Sequence, residues 1–116
     1  MRQISIKIEG SMIEVVKDNE SFGSKIKEIF LNQDQILYHS EHSWVTNGKK
    51  LYCINIFLTG RVVILAHEDW NDEEEFEAIY SKFRECLAAN SIISKSFRVN
   101  KHIRTGNYYA EYGTAY

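Results

Sequence analysis

Leu51-Tyr52-Cys53-Ile54-Asn55-Ile56-Phe57-Leu58-Thr59-Gly60-Arg61-Val62-Val63-Ile64-Leu65-Ala66 is the stretch whose reading decides the fold. Two apolar runs of strand length flank Thr59-Gly60. With those two as loop residues, Leu58 lies opposite Arg61, Phe57 opposite Val62, Ile56 opposite Val63 and Ile54 opposite Leu65. One face then carries Tyr52, Ile54, Ile56, Leu58, Val63 and Leu65; the other carries Cys53, Asn55, Phe57, Val62, Ile64 and Ala66. Both faces are apolar, so the pattern predicts a central hairpin covered on both sides. Thr59 is β-branched and resists positive φ, so a longer Leu58–Arg61 turn fits as well as a two-residue loop.

Immediately upstream, Asn47-Gly48 is the strongest turn signal in the chain. It predicts a strand over 35–46 in which Trp44 faces Leu51, His42 faces Cys53 and Tyr38 faces Phe57. His39 and His42 are three apart. In a strand that odd separation sends them to opposite faces, which argues against a shared metal. Earlier still, Ile4, Ile6 and Ile8 alternate with polar residues, and a Glu9-Gly10 turn would place Ile13 opposite Ile6 and Val15 opposite Ile4. Asp18-Asn19-Glu20-Ser21 then breaks the pattern. Phe22, Ile26, Ile29 and Phe30 follow at helical spacing and predict a short core-facing helix, begun by Ser21 or Ser24 and ending near Asn32.

Downstream of the hairpin the chain turns acidic. Glu68, Asp69, Asp72, Glu73, Glu74, Glu75 and Glu77 supply seven of the sixteen acidic residues within ten positions. Asn71 with Glu74 approximates a capping box, and early acids favour the helix macrodipole. Phe76, Ile79, Tyr80, Phe83 and Leu87 then form one stripe, predicting a helix from about Asp72 to Ala89 with Asn90 as its C-terminal cap. Some of these acids serve the helix start and solubility. Glu68, Asp69 and Trp70 precede it, and an exposed tryptophan ringed by carboxylates has the composition of an interface for a basic partner. Trp70 packed beneath the helix start as a staple is the other reading.

From Ile92 the alternation of Ile93, Lys95, Phe97 and Val99 predicts a return to the sheet. The final stretch holds four of the seven tyrosines. Tyrosine is a good strand former and offers large contact area at low entropic cost, so a last strand with a loose end of about ten residues, or a contact surface using Tyr108, Tyr109 and Tyr112, both fit. His102, Arg104, Thr105 and Tyr108 are also the residue types of a metal-free ribonuclease, with an imidazole or phenol to move a proton and a guanidinium for phosphate.

At 116 residues and 13.6 kDa the chain is read as one domain, 1–116, and 44% hydrophobic content with 13% aromatic excludes disorder. The longest apolar runs are too short to span a bilayer, and the alternating N-terminus is not a secretory signal. Cys53 and Cys86 read as two buried thiols in a reducing cytoplasm rather than a disulfide. A net charge of −2 argues against nucleic acid as partner. No metal, cofactor, nucleotide-loop or nucleophile-elbow signature is present.

The expected fold is α+β: a mainly antiparallel sheet of about six strands in the order ββαβββαβ, with two helices packed on it. The expected function is a small cytoplasmic binding protein that inhibits a basic protein, in the manner of a toxin-immunity protein neutralising a nuclease. Its contact residues would be Glu68, Asp69, Trp70, Asp72, Glu73, Glu75, Tyr108, Tyr109 and Tyr112. The alternatives are a ribonuclease using His102, Arg104 and Tyr108, and a module that self-associates through a sheet edge.

Overall fold

Residues 3–10 and 12–32 form one long antiparallel ribbon bent at its middle, where the sequence predicts a hairpin followed by a helix. The computed structural model describes residues 2–10, 12–89 and 94–114; the expected cap at Asn90, the strand start at Ile92 and Ile93, and Tyr116 lie outside them. Strand β1 (Gln3–Ile8) pairs with β4 (Glu28–Asn32), and β2 (Met12–Lys17) pairs with β3 (Glu20–Ile26). The ribbon turns at Asp18 and Asn19, whose φ values of 53° and 65° give the type I′ geometry that Asp and Asn tolerate. At Gly10 and Lys27 both strands leave one sheet for the other, which makes a corner.

The helix expected over Phe22–Phe30 is therefore absent. Strand alternation turns only part of this apolar set inward: Leu31 is buried and Ile29 half-buried, while Phe30 between them points to solvent. Pairing with β1 and β2 satisfies the backbone of this segment. For the same reason Ile6 stands opposite Ile29 and Phe97 rather than Ile13, and Ile13 stands opposite Leu65.

Among the described residues there are nine strands and one α-helix. The remaining strands are β5 (Ile36–Thr46), β6 (Lys49–Leu58), β7 (Arg61–Ala66), β8 (Lys95–Lys101) and β9 (Tyr108–Thr114), and the helix α1 spans Glu73–Ala88. They form a four-stranded sheet, β4-β1-β8-β9, and a five-stranded sheet, β3-β2-β7-β6-β5. All pairings are antiparallel except β1 with β8. The fold is α+β and mainly antiparallel, with two sheets and one helix in place of one sheet and two. The Tyr-rich end forms a last strand, as expected, from Tyr108 to Thr114.

The meander of β5, β6 and β7 has the expected registers: Trp44 opposite Leu51, His42 opposite Cys53, Tyr38 opposite Phe57, Ile56 opposite Val63 and Ile54 opposite Leu65. Asn47 and Gly48 both take positive φ. At the second turn only Gly60 does, so Thr59 is spared the left-handed region. Leu37 is inserted as a bulge near the start of β5.

One core lies between the sheets and under α1. Ile4, Ile6, Ile8, Phe97 and Val99 come from the first sheet, and Ile13, Tyr52, Ile54, Ile56, Leu58, Val63 and Leu65 from the second. The helix adds Phe76, Ile79, Tyr80, Phe83 and Cys86. Asp72, one residue later than expected, caps α1 by accepting from the Glu75 amide at 2.9 Å. At the other end the buried Lys95 ammonium donates to the carbonyls of Cys86 (2.8 Å) and Ala89 (2.6 Å). That charge meets the carbonyls a helix end leaves unpaired. Cys53 and Cys86 are both free thiols, and burial pushes each up to about 11.

Candidate interaction surface

The second face of the β5–β6–β7 meander is not covered by any described element, contrary to the expectation that both apolar faces are enclosed. Asn55, Phe57, Val62, Ile64 and Ala66 are only half-buried on it. Register places successive rows across the strands. His42 lies beside Cys53 and Ala66, Asn55 beside Ile64 and Glu14, and Trp44 beside Leu51. Together with His67 and Glu68 these side chains line a groove of about 430 Å³. Its floor is apolar, Trp44 forms part of one wall, and Glu14 and Glu68 are the carboxylates among its described lining residues.

Strand β5 is the edge of this sheet and concentrates its exposed apolar surface. Of eight exposed large apolar or aromatic side chains among the described residues, Leu37, Tyr38, Trp44 and Val45 lie on β5. Tyr38 stacks on Phe57 with ring centroids 4.2 Å apart. Edge strands are usually guarded by Lys, Pro or extra charges, and β5 carries only Glu41.

On the inner side of β5 the carboxylates crowd. Glu41 is held above the usual carboxylate range, first by a side-chain hydrogen bond with Glu77, then by desolvation and the charges of Glu77 and Glu73, with Arg84 opposing. These three acids share a recess with His42, Ser43, Lys50 and Tyr52. Carboxylates that raise one another's proton affinity mark negative potential that the opposing charge of Arg84 does not cancel, and a further cation brought alongside would lower it.

The acids at the start of α1 divide into two groups. Asp72 is the cap, the Glu75 Oε1 accepts from the Tyr108 amide at 2.6 Å, and the Asp69 Oδ2 accepts from the Tyr108 hydroxyl at 3.1 Å. Those three work inside the fold. Glu68, Glu73 and Glu74 are exposed. Trp70 is not a surface anchor: it is 2% exposed, its ring packs 5.7 Å from that of Phe76, and its carbonyl accepts from the Tyr52 amide. It is the staple beneath the helix start.

The structure does not bring His102, Arg104 and Tyr108 to one point. His102 and Arg104 are exposed in the β8–β9 turn, which is closed by bonds between the backbones of residues 102, 106 and 107. Tyr108 is buried, with its hydroxyl 3.0 Å from the His67 Nε2. Tyr109 and Tyr112 are exposed, an odd distance apart on β9, and therefore on opposite faces of it. None of the three tyrosines lines the groove.

Comparison with protein-family models, curated proteins and solved structures gives no match. Function therefore rests on this geometry alone.

The residue that sequence reasoning passed over is His67. It continues the alternation of Val63 and Leu65 onto the core face, and it is 4% exposed. The Asp69 amide donates to its Nδ1 at 2.9 Å, so the ring proton sits on Nε2 and is given to the Tyr108 oxygen. Desolvation lowers its pKa against the raising influence of Asp69 and Glu68, keeping the imidazole neutral near pH 7. Burial, with the Asp69 carboxylate, pushes Tyr108 up to about 12. This chain of His67, Tyr108 and Asp69 fixes β9 against the turn from which Glu68 emerges.

Proposed function

We propose that this protein is a binding module for a basic protein partner, that its contact surface is the outer face of β5, β6 and β7, and that it acts by blocking that partner, as an immunity protein blocks a nuclease toxin. The observation that carries this reading is the uncovered apolar face: aromatic on β5 and apolar on β6 and β7, with Glu68 at its groove and Glu41, Glu73 and Glu77 in the recess on the inner side of the same edge strand. An apolar centre with acids near its margin is the composition of a specific, electrostatically steered interface. The anchor role that composition assigned to Trp70 passes to Trp44, and Glu68 and Glu73 remain as steering acids.

The test is a comparison of proteins retained from the native host by the wild type and by the double variant Trp44→Ser/Leu51→Ser. A basic protein held by the first and released by the second, and whose activity the wild type suppresses, supports the reading. Equal recovery by both variants contradicts it.

A further inference from the structure

Among the described residues β5 has a strand on one side only, β6, and its other side is the end of the five-stranded sheet. Thr46 and Lys49 close the two-residue Asn47-Gly48 turn, which makes them a hydrogen-bonded pair. Counting back from there, Trp44, His42, Ser40 and Tyr38 aim their backbone groups at β6. Val45, Ser43, Glu41 and His39 aim theirs outward, so the free edge offers a regular run of donors and acceptors. The register is unbroken from Tyr38 to Thr46, because the Leu37 bulge lies before it.

The side chains along this edge are symmetric about Glu41. Tyr38 and Trp44 lie three residues to either side of it, Leu37 and Val45 four, and all four are exposed apolar or aromatic side chains. His39, Ser40, His42 and Ser43 stand between them with Glu41. A foreign strand needs no such symmetry. An antiparallel copy of the same strand, related by a two-fold axis through Glu41, uses all of it.

We propose that β5 pairs with β5 of a second copy of this chain, antiparallel about Glu41, joining the two five-stranded sheets into one. In that register the backbones of His39, Glu41 and Ser43 bond those of Ser43, Glu41 and His39 of the second copy. Tyr38 falls opposite Trp44 of the second copy in a non-hydrogen-bonded pair, the kind whose side chains approach most closely, and the symmetry makes this aromatic contact twice. Leu37 and Val45 meet at each end. Glu41 faces its counterpart at the axis, on the side of the sheet where Glu77 and Glu73 already raise the negative potential and Arg84 opposes them. That like-charged pair is the element opposing association, and it holds the pairing weaker than the aromatic contacts alone would make it. The two outer faces become continuous across the seam, and the pairing requires nothing of what those faces bind.

Sedimentation equilibrium of the full-length chain, from about 1 µM to about 1 mM, reads the association. The mass should rise with concentration from 13.6 kDa toward twice that value. Tyr38→Lys and Trp44→Glu should each weaken association by about tenfold or more. Ser43→Pro, which removes an outward N–H and no bond to β6, should weaken it likewise. Mixed in equal amounts, Tyr38→Lys and Trp44→Glu chains should associate more tightly than either alone. The mixed dimer sets the introduced ammonium against the introduced carboxylate and keeps one Tyr38–Trp44 pair. Glu41→Gln should tighten association several-fold by removing the like-charged pair, and as the mildest of these changes it keeps the test decisive should a bulkier one unfold the strand. Phe30→Lys, at an exposed aromatic on the edge strand of the other sheet, should leave association unchanged. A chain that stays at 13.6 kDa throughout would overturn the pairing. Loss of association in Phe30→Lys but not in Tyr38→Lys would also overturn it, moving the contact to β4. A mixture no tighter than its members, or a weaker dimer in Glu41→Gln, would overturn the two-fold register about Glu41.

Discussion

The His67 Nε2 and the Tyr108 hydroxyl lie 3.0 Å apart across 41 residues of chain, and through them the end of β7 is tied to the start of β9. The tie works because the imidazole is neutral, with Nδ1 bare to accept from the Asp69 amide. Protonation at Nδ1 would turn that acceptor into a donor facing a donor.

Stability should therefore depend on pH through the histidines. Burial lowers His67 and His39 below their ordinary value of 6.5. The unfolded chain then takes up protons at a higher pH than the folded one. The contribution is complete above about 6.5 and is lost as the pH falls through that value toward the lower folded values. Urea midpoints measured from pH 7.5 down to 5 should fall, and the fall should be smaller in His67→Gln. A flat profile for the wild type over this range would contradict the placement of both rings.

Tyr108→Phe keeps the ring and removes the acceptor of the His67 proton. Losing the hydroxyl that links His67 to Asp69 should cost about 1 kcal/mol in chemical denaturation. Peptide binding at the outer face should persist, because Tyr108 does not line the groove.

Gly10, at the corner between β1 and β2, has φ of 68°, and a Cβ there would sit 2.8 Å from the His67 Nε2. Gly10→Ala should destabilise by roughly 2 kcal/mol or more, from the left-handed backbone and the clash together. In the background His67→Ala the same substitution should cost less. Equal cost in both backgrounds would mean that the backbone alone sets the penalty.

Lys95→Met retains the stem and removes the ammonium from the end of α1. Two carbonyls, of Cys86 and Ala89, lose their donor. A loss of about 2 kcal/mol is expected by urea denaturation, since bonds to a charged group are the stronger kind. An unchanged midpoint would show that relief of the buried charge balances the lost bonds.

Legibility in the sequence followed contact distance. Asn47-Gly48 and Thr59-Gly60 specify hairpins between neighbours, so the registers of β5, β6 and β7 could be read residue by residue. The β1–β4 and β1–β8 pairings join segments far apart, and nothing local distinguishes Ile6 beside Phe97 from Ile6 beside Ile13. Asp18-Asn19 was a readable type I′ pair hidden by the coincidental helical spacing of Phe22 to Phe30. At the surface the acids were visible, but the internal employment of Asp69, Asp72 and Glu75 depends on Tyr108 and the cap geometry. Composition does not say whether a tryptophan among acids is an exposed anchor or a buried staple, and Trp70 is the buried one. The alternation that carries Leu65 inward also carried His67, so that residue could have been found.

The two tryptophans supply the most direct measurement. Trp44 is 37% exposed beside the groove and Trp70 is 2% exposed in the core, so the protein should give two indole N–H signals by nuclear magnetic resonance. During titration with a peptide selected on the wild-type chain, the Trp44 signal should move in proportion to occupancy while the Trp70 signal stays in place. Movement of the Trp70 signal with Trp44 unaffected would place binding at the helix start and contradict the outer face as the site of recognition.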